Sequence, residues 1–129
     1  MASGVLCQRG VGEVTADDFR NQLMEEIWHP DFHPGLDRIV DYRRLHPCLS
    51  LEEIERLATT VRRLGPVIGD SRWAVVTDLD LVHDLMFKLI AFCEGTRVEA
   101  KVFRNMDEAK AWLGLKKDYQ CPLVTPEAV

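Results

Sequence analysis

No stretch of this chain approaches the roughly 18 consecutive apolar residues that a membrane-crossing helix requires, so no membrane span is expected. There is no basic surplus either. The net charge of -5 favours solubility and argues against general nucleic-acid affinity. The first residues, Met1-Ala2-Ser3-Gly4-Val5-Leu6, lack the basic and apolar regions of a signal peptide, and a cytoplasmic location is expected. None of the four cysteines (Cys7, Cys48, Cys93, Cys121) is spaced as Cys-x-x-Cys, so the zinc-site and redox-pair signals are absent. Without a secretion signal they read as reduced thiols, with Cys93 an inert core thiol. Gly10-Val11-Gly12 lacks the third glycine and the lysine of the known phosphate-binding loops. No internal repeat or low-complexity tract occurs, and no motif specifies a reaction or a cofactor.

What remains is an ordinary globular composition: 129 residues, 47% apolar and 29% charged, which suits one domain with a real core. Trp73-Ala74-Val75-Val76 is an unbroken apolar run, the pattern of a strand buried on both faces. The most apolar helical stretch, Leu81 to Cys93, follows at once, and a buried strand feeding a helix marks an α/β layer fold. Upstream, Val5–Arg9 is a short strand candidate that residues 11–14 resume as an edge segment or bulge. Thr15 with Asp18 caps a helix carrying Phe19, Leu23, Met24, Ile27 and Trp28 on one face, and Pro30 ends it. Leu36–Tyr42 reads as a second core strand and Arg43–Leu49 as a loop. Ser50 and Glu53 form a capping box for a helix that Gly65 and Pro66 stop. Val98, Ala100 and Val102 alternate with polar neighbours, which predicts a strand near a sheet edge. Asn105 caps a last helix and Gly114 ends it. Residues 1–114 thus form the domain, and 115–129 are read as a C-terminal tail. The order is β-α-β-α-β-α-β-α, a single mostly parallel sheet of four or five strands with packed helices.

Four stretches carry a resemblance: Thr15–Phe19, Pro34–Arg43, Arg72–Val76 and Val102–Leu113. Together they resemble the SpoIIAA-like proteins of bacteria, in the superfamily that joins STAS domains to CRAL-TRIO lipid-transfer domains. The resemblance implies a four- or five-stranded mostly parallel sheet whose N-terminal strand runs antiparallel. It also implies regulatory switching, which in STAS domains uses a phosphorylated serine or threonine at a helix start. The comparable loop here, Asp41 to Pro47, contains neither residue, and Ser50 is accounted for as a cap.

Asp41 and Asp78 fall at or near the C-terminal ends of predicted core strands, where open α/β sheets bind ligands. With Arg43 and Thr77 they form the candidate ligand-binding set. Two acids there could hold a cation or act as an acid/base pair. The competing account has Asp78 or Asp80 capping the next helix and Asp41 pairing with Arg43 or Arg44. His29, Asp31 and His33 lie close in sequence, but Pro30 forbids the shared helix face that a zinc pair needs, so no metal is expected. On the 81–94 helix, Phe87 sits among His83, Asp84 and Lys88 with Ala91 one turn beyond. Phe87, Ala91 and His83 are therefore candidate contacts of a homodimer.

The expected function is a non-enzymatic regulatory or protein-interaction module of STAS type, with a regulatory protein as its partner. The alternative is a carrier or sensor of a lipid-like or other apolar ligand. An enzyme using Asp41 and Asp78 ranks third.

Overall fold

The computed structural model describes residues 5–30, 32–92, 95–116, 118 and 119, without the side chains of residues 47, 81, 83 and 92. Three helix starts are explained by a polar residue satisfying backbone N–H groups that have no intrahelical partner. In the loop from β1 (Val5–Thr15) to α1 (Ala16–Ile27), the Thr15 hydroxyl accepts from Asp18 N, and Asp18 accepts from Thr15 N. After β2 (Asp37–Cys48), Ser50 and Glu53 exchange the same pair of bonds at the start of α2 (Leu51–Arg63). Asn105 caps α5 (Met106–Trp112) by accepting from Glu108 N.

Pro66 does not simply end the helical path after α2. It sits in the first turn of a short α3 (Gly65–Ile68), where its missing N–H is no loss. Gly69 then takes φ +74°, and a β-carbon there would lie 2.7 Å from Gly35 N. That crossing lets Gly35 N donate to Ile68 O and locks the Pro34–Gly35 loop against α3.

β3 (Ser71–Val76), α4 (Asp80–Phe92) and β4 (Val98–Phe103) complete the order. The four strands lie in chain order β1-β2-β3-β4 and are all parallel. The antiparallel first strand implied by the resemblance is not found; β1 pairs parallel to β2 from Val5↔Asp37 onward. Because each strand pairs with its successor, crossovers of one hand leave their helices on one face. Phe19, Leu23 and Ile27 of α1, Ala58 and Val61 of α2, and Val82, Met86 and Leu89 of α4 accordingly pack with Val40, Tyr42, Trp73 and Val75. Val5, Cys7, Ile39, Ala74, Val76 and Phe103 make the core of the opposite face, under Ala109 and Leu113. Arg72 secures α5 there: it bonds Asp37 and donates to the carbonyls of Trp112 and Leu113.

Two boundaries differ from the sequence reading. Arg43–Cys48 is strand, not loop, because β1 continues to Thr15 and gives it a hydrogen-bonding partner. Leu115 and Tyr119 of the expected tail pack against the core beside Trp112. The cysteine expectation also needs correction. Cys7, buried in the sheet, is disulfide-bonded, whereas Cys48 is a free, exposed thiol; Cys93 and Cys121 lie outside the described residues. No helix among the described residues is long and apolar enough to cross a membrane.

A buried charge pair on the three-helix face has no counterpart in the sequence reading. Arg38 Nη2 lies 2.9 and 3.1 Å from the two Glu26 carboxylate oxygens and also donates to Gln8 Oε1. Its guanidinium stacks over Trp73 at 4.8 Å. Burial pushes the Glu26 carboxyl above its usual range, against the pull of Arg38. Burial likewise raises the Tyr42 hydroxyl, to about 12.

Candidate functional site

The sheet is four strands wide only as far as Asp41 and Val76, which pair with each other. Beyond them β3 ends, while β1 and β2 run on together to Thr15 and Cys48. The step leaves an alcove at the C-terminal edge. Its floor is shaped by a bulge: Arg9 pairs with Asp41 and Val11 with Arg44, so one residue of β1 faces two of β2. In a regular strand Arg43 and Arg44 would point to opposite faces. The bulge breaks that alternation, and both line one pocket of about 350 Å³ with Arg9, Asp41 and Asp78. Gly10 stands at the bulge because a β-carbon would come within 2.9 Å of the Tyr42 ring and of Leu45.

Asp41 is the organising group. Its side chain is 10% exposed and accepts from Arg43 N at 3.1 Å, Nε at 2.9 Å and Nη2 at 2.8 Å. Arg9 Nε stands 3.8 Å away. Burial pushes the Asp41 carboxyl up, but the bonds from Arg43 and the charges of Arg43 and Arg9 outweigh it and hold the group below its ordinary range. It is a carboxylate at neutral pH. Asp78 is exposed, and its charge helps to hold Arg43 protonated. Arg44 is exposed and has no carboxylate partner among the described residues.

Three of the four residues expected at this edge (Asp41, Arg43, Asp78) do converge. Thr77 does not line the pocket: it is fully buried, its N–H donates to Phe103 O, and its hydroxyl accepts from Leu79 N. Asp80 is taken up by Arg104, which also donates to Asp78 O. Arg9 was not expected. Only the register that sets it opposite Asp41 reveals it, since nothing near it in sequence is acidic until Glu13.

Elsewhere, an interior gap of about 70 Å³ lies under α1, α2 and α4, lined by Phe19, Val40, Tyr42, Val61, Met86 and Leu89. A surface groove of about 400 Å³ runs between α1 and α2 past Arg20, Arg56 and Arg63. Among the described residues no three histidine, cysteine or acidic side chains are grouped to hold a metal ion; Asp31 lies outside them. Phe87 is 55% exposed, and Asp84, Lys88 and Ala91 around it are also exposed; the side chain of His83 lies outside the described residues. No protein-family model, curated protein or solved structure matches the chain.

Proposed function

We propose that the chain is a non-enzymatic regulatory or protein-interaction module of STAS type, and that it works at the sheet-edge pocket by binding rather than by chemistry. The state of Asp41 supports this. A general acid or base needs a pKa near the working pH and a proton within reach of its substrate. Asp41 has the opposite properties: its pKa is lowered, and both oxygens already accept from Arg43. Such a carboxylate positions arginines.

The alternative, a carrier of an apolar ligand, draws on the apolar lining of the interior gap. At about 70 Å³ that gap is a fraction of the roughly 300–1,000 Å³ of ordinary ligand pockets, so a carrier would have to open. A second copy of the chain is the partner proposed for the Phe87 and Ala91 face, where exposed charged residues surround the ring. A cytoplasmic location belongs to the same proposal. The disulfide at Cys7 pulls the other way, since such bonds persist in oxidising compartments. The intact mass without reductant reports whether that bond is present.

Native mass spectrometry of protein from its own host tests the binding reading. The expected result is a retained species that Arg44→Ala releases. A retained apolar ligand that survives Arg44→Ala would favour the carrier.

A further inference from the structure

We propose that the sheet-edge pocket is a site for a phosphoryl group, carried as inorganic phosphate or on a small soluble molecule. The inference rests on the reading of this pocket as a binding site and goes beyond it by naming the ligand class.

Charge is the first ground. Among the described residues, three arginines against two aspartates leave the pocket one positive charge in excess, within a chain of net charge -5. An arginine cluster in an acidic protein is held against the general repulsion of cations from one another, and Asp41 does the holding. Its nearly buried carboxylate fixes Arg43 by three bonds and draws Arg9 to 3.8 Å.

The directions of the free donors are the second ground. A carboxylate ligand is best met by the two parallel N–H groups of one guanidinium fork. In Arg43 the Nε/Nη2 fork is already filled, with Nε on one Asp41 oxygen and Nη2 on the other. What remains for a ligand is Arg43 Nη1 with the second hydrogen of Nη2, the outer nitrogens of Arg9, and the head of Arg44; a carboxylate on one Arg44 fork would leave the other donors unmet. These come from two strands and from both sides of a bulge, so they reach an occupant from several directions. A tetrahedral oxyanion with three or four acceptor oxygens uses such a set better than a planar carboxylate does.

Arg44 is the third ground. It lines the pocket with no ion-pair partner among the described residues, beside two arginines that share a carboxylate. The bulge places it there; in a regular strand it would face away from Arg43. Asp78 also lines the pocket, and its charge opposes any anion. The pocket, at about 350 Å³, has room for a phosphoryl group and a small organic portion.

The test is titration calorimetry of the full chain with inorganic phosphate at constant ionic strength, with acetate as the carboxylate comparator. Saturable binding is expected for phosphate and not for acetate. Arg44→Ala, at an exposed position, should keep the fold and weaken phosphate binding about tenfold or more. Asp78→Asn should strengthen it several-fold by removing the opposing charge. Lys116→Ala makes the same charge change as Arg44→Ala at an exposed position outside the pocket and should leave binding unaltered. The proposal is overturned if phosphate shows no saturable binding up to about 10 mM, if acetate binds as well, or if Arg44→Ala and Lys116→Ala behave alike. A host-derived species that lacks phosphorus yet is released by Arg44→Ala would sink the phosphoryl class and leave the binding reading standing.

Discussion

Arg38→Met strips Glu26 of its partner inside the three-helix face. Both side chains are nearly buried, 11% and 7% exposed, with the closest contact at 2.9 Å. Breaking a buried pair by removing one member costs about 3–5 kcal/mol, because the remaining charge is left without water or counter-charge. Gln8 loses its donor at the same time, which pushes the cost to the upper part of that range. Against a typical domain stability of about 5–15 kcal/mol, the variant should fold marginally. Removing both charges together, in Glu26→Leu with Arg38→Met, should recover most of the loss, since a well-packed apolar pair is often as stable as the ion pair it replaces. Urea unfolding of the parent, the two single variants and the double variant closes the cycle and yields the coupling directly.

The pH dependence gives a second readout. Glu26 already has its pKa raised by burial, and loss of Arg38 removes what pulls it down. A carboxyl with a higher pKa folded than unfolded binds its proton more tightly in the native state. Its penalty is full above the folded pKa and is relieved as pH falls through that value toward the unfolded one. Arg38→Met should therefore gain stability relative to the parent as pH falls from 7 towards 5. A loss below about 1 kcal/mol for the single variant, or a double variant no better than the single, would refute the account of this pair as a buried, mutually dependent charge unit.

Val75→Ala removes two methyl groups from an enclosed strand position and should cost roughly 1–3 kcal/mol; an unchanged urea midpoint would contradict its place in the core. Ser50→Ala should lose about 0.5–2 kcal/mol, whereas Ser50→Asp should match the parent because aspartate caps equally well and suits the helix dipole. A large change in partner binding by Ser50→Asp at unchanged stability would restore a phospho-switch at that residue. Phe87→Glu should convert a dimeric parent into a folded monomer on analytical ultracentrifugation. A parent that sediments as a monomer at high concentration defeats the interface.

The elements and their order are local matters, and the sequence by itself determined them. Thr15, Ser50 and Asn105 satisfy N–H groups three residues away, and the apolar run at Trp73–Val76 needs burial on both sides wherever it lies. The same logic picked out Asp78, just past the end of β3; Asp41 and Arg43 were reached by placing the end of β2 too early, and they line the edge because it is β3 that stops level with Asp41. Only the tertiary structure decided the rest, because it depends on which strand meets which. Parallel pairing of β1 with β2 turned Arg43–Cys48 from loop into strand, and its one-residue slip brought Arg9 and Arg44 beside Asp41. No local signal separates a bulged arginine from a regular one; the difference is a register set between strands about thirty residues apart. Arg38 and Glu26 likewise look like surface charges in sequence. They are buried because α1 crosses the sheet directly over Gln8 and Arg38, and at that crossing each can lose its water only by finding the other.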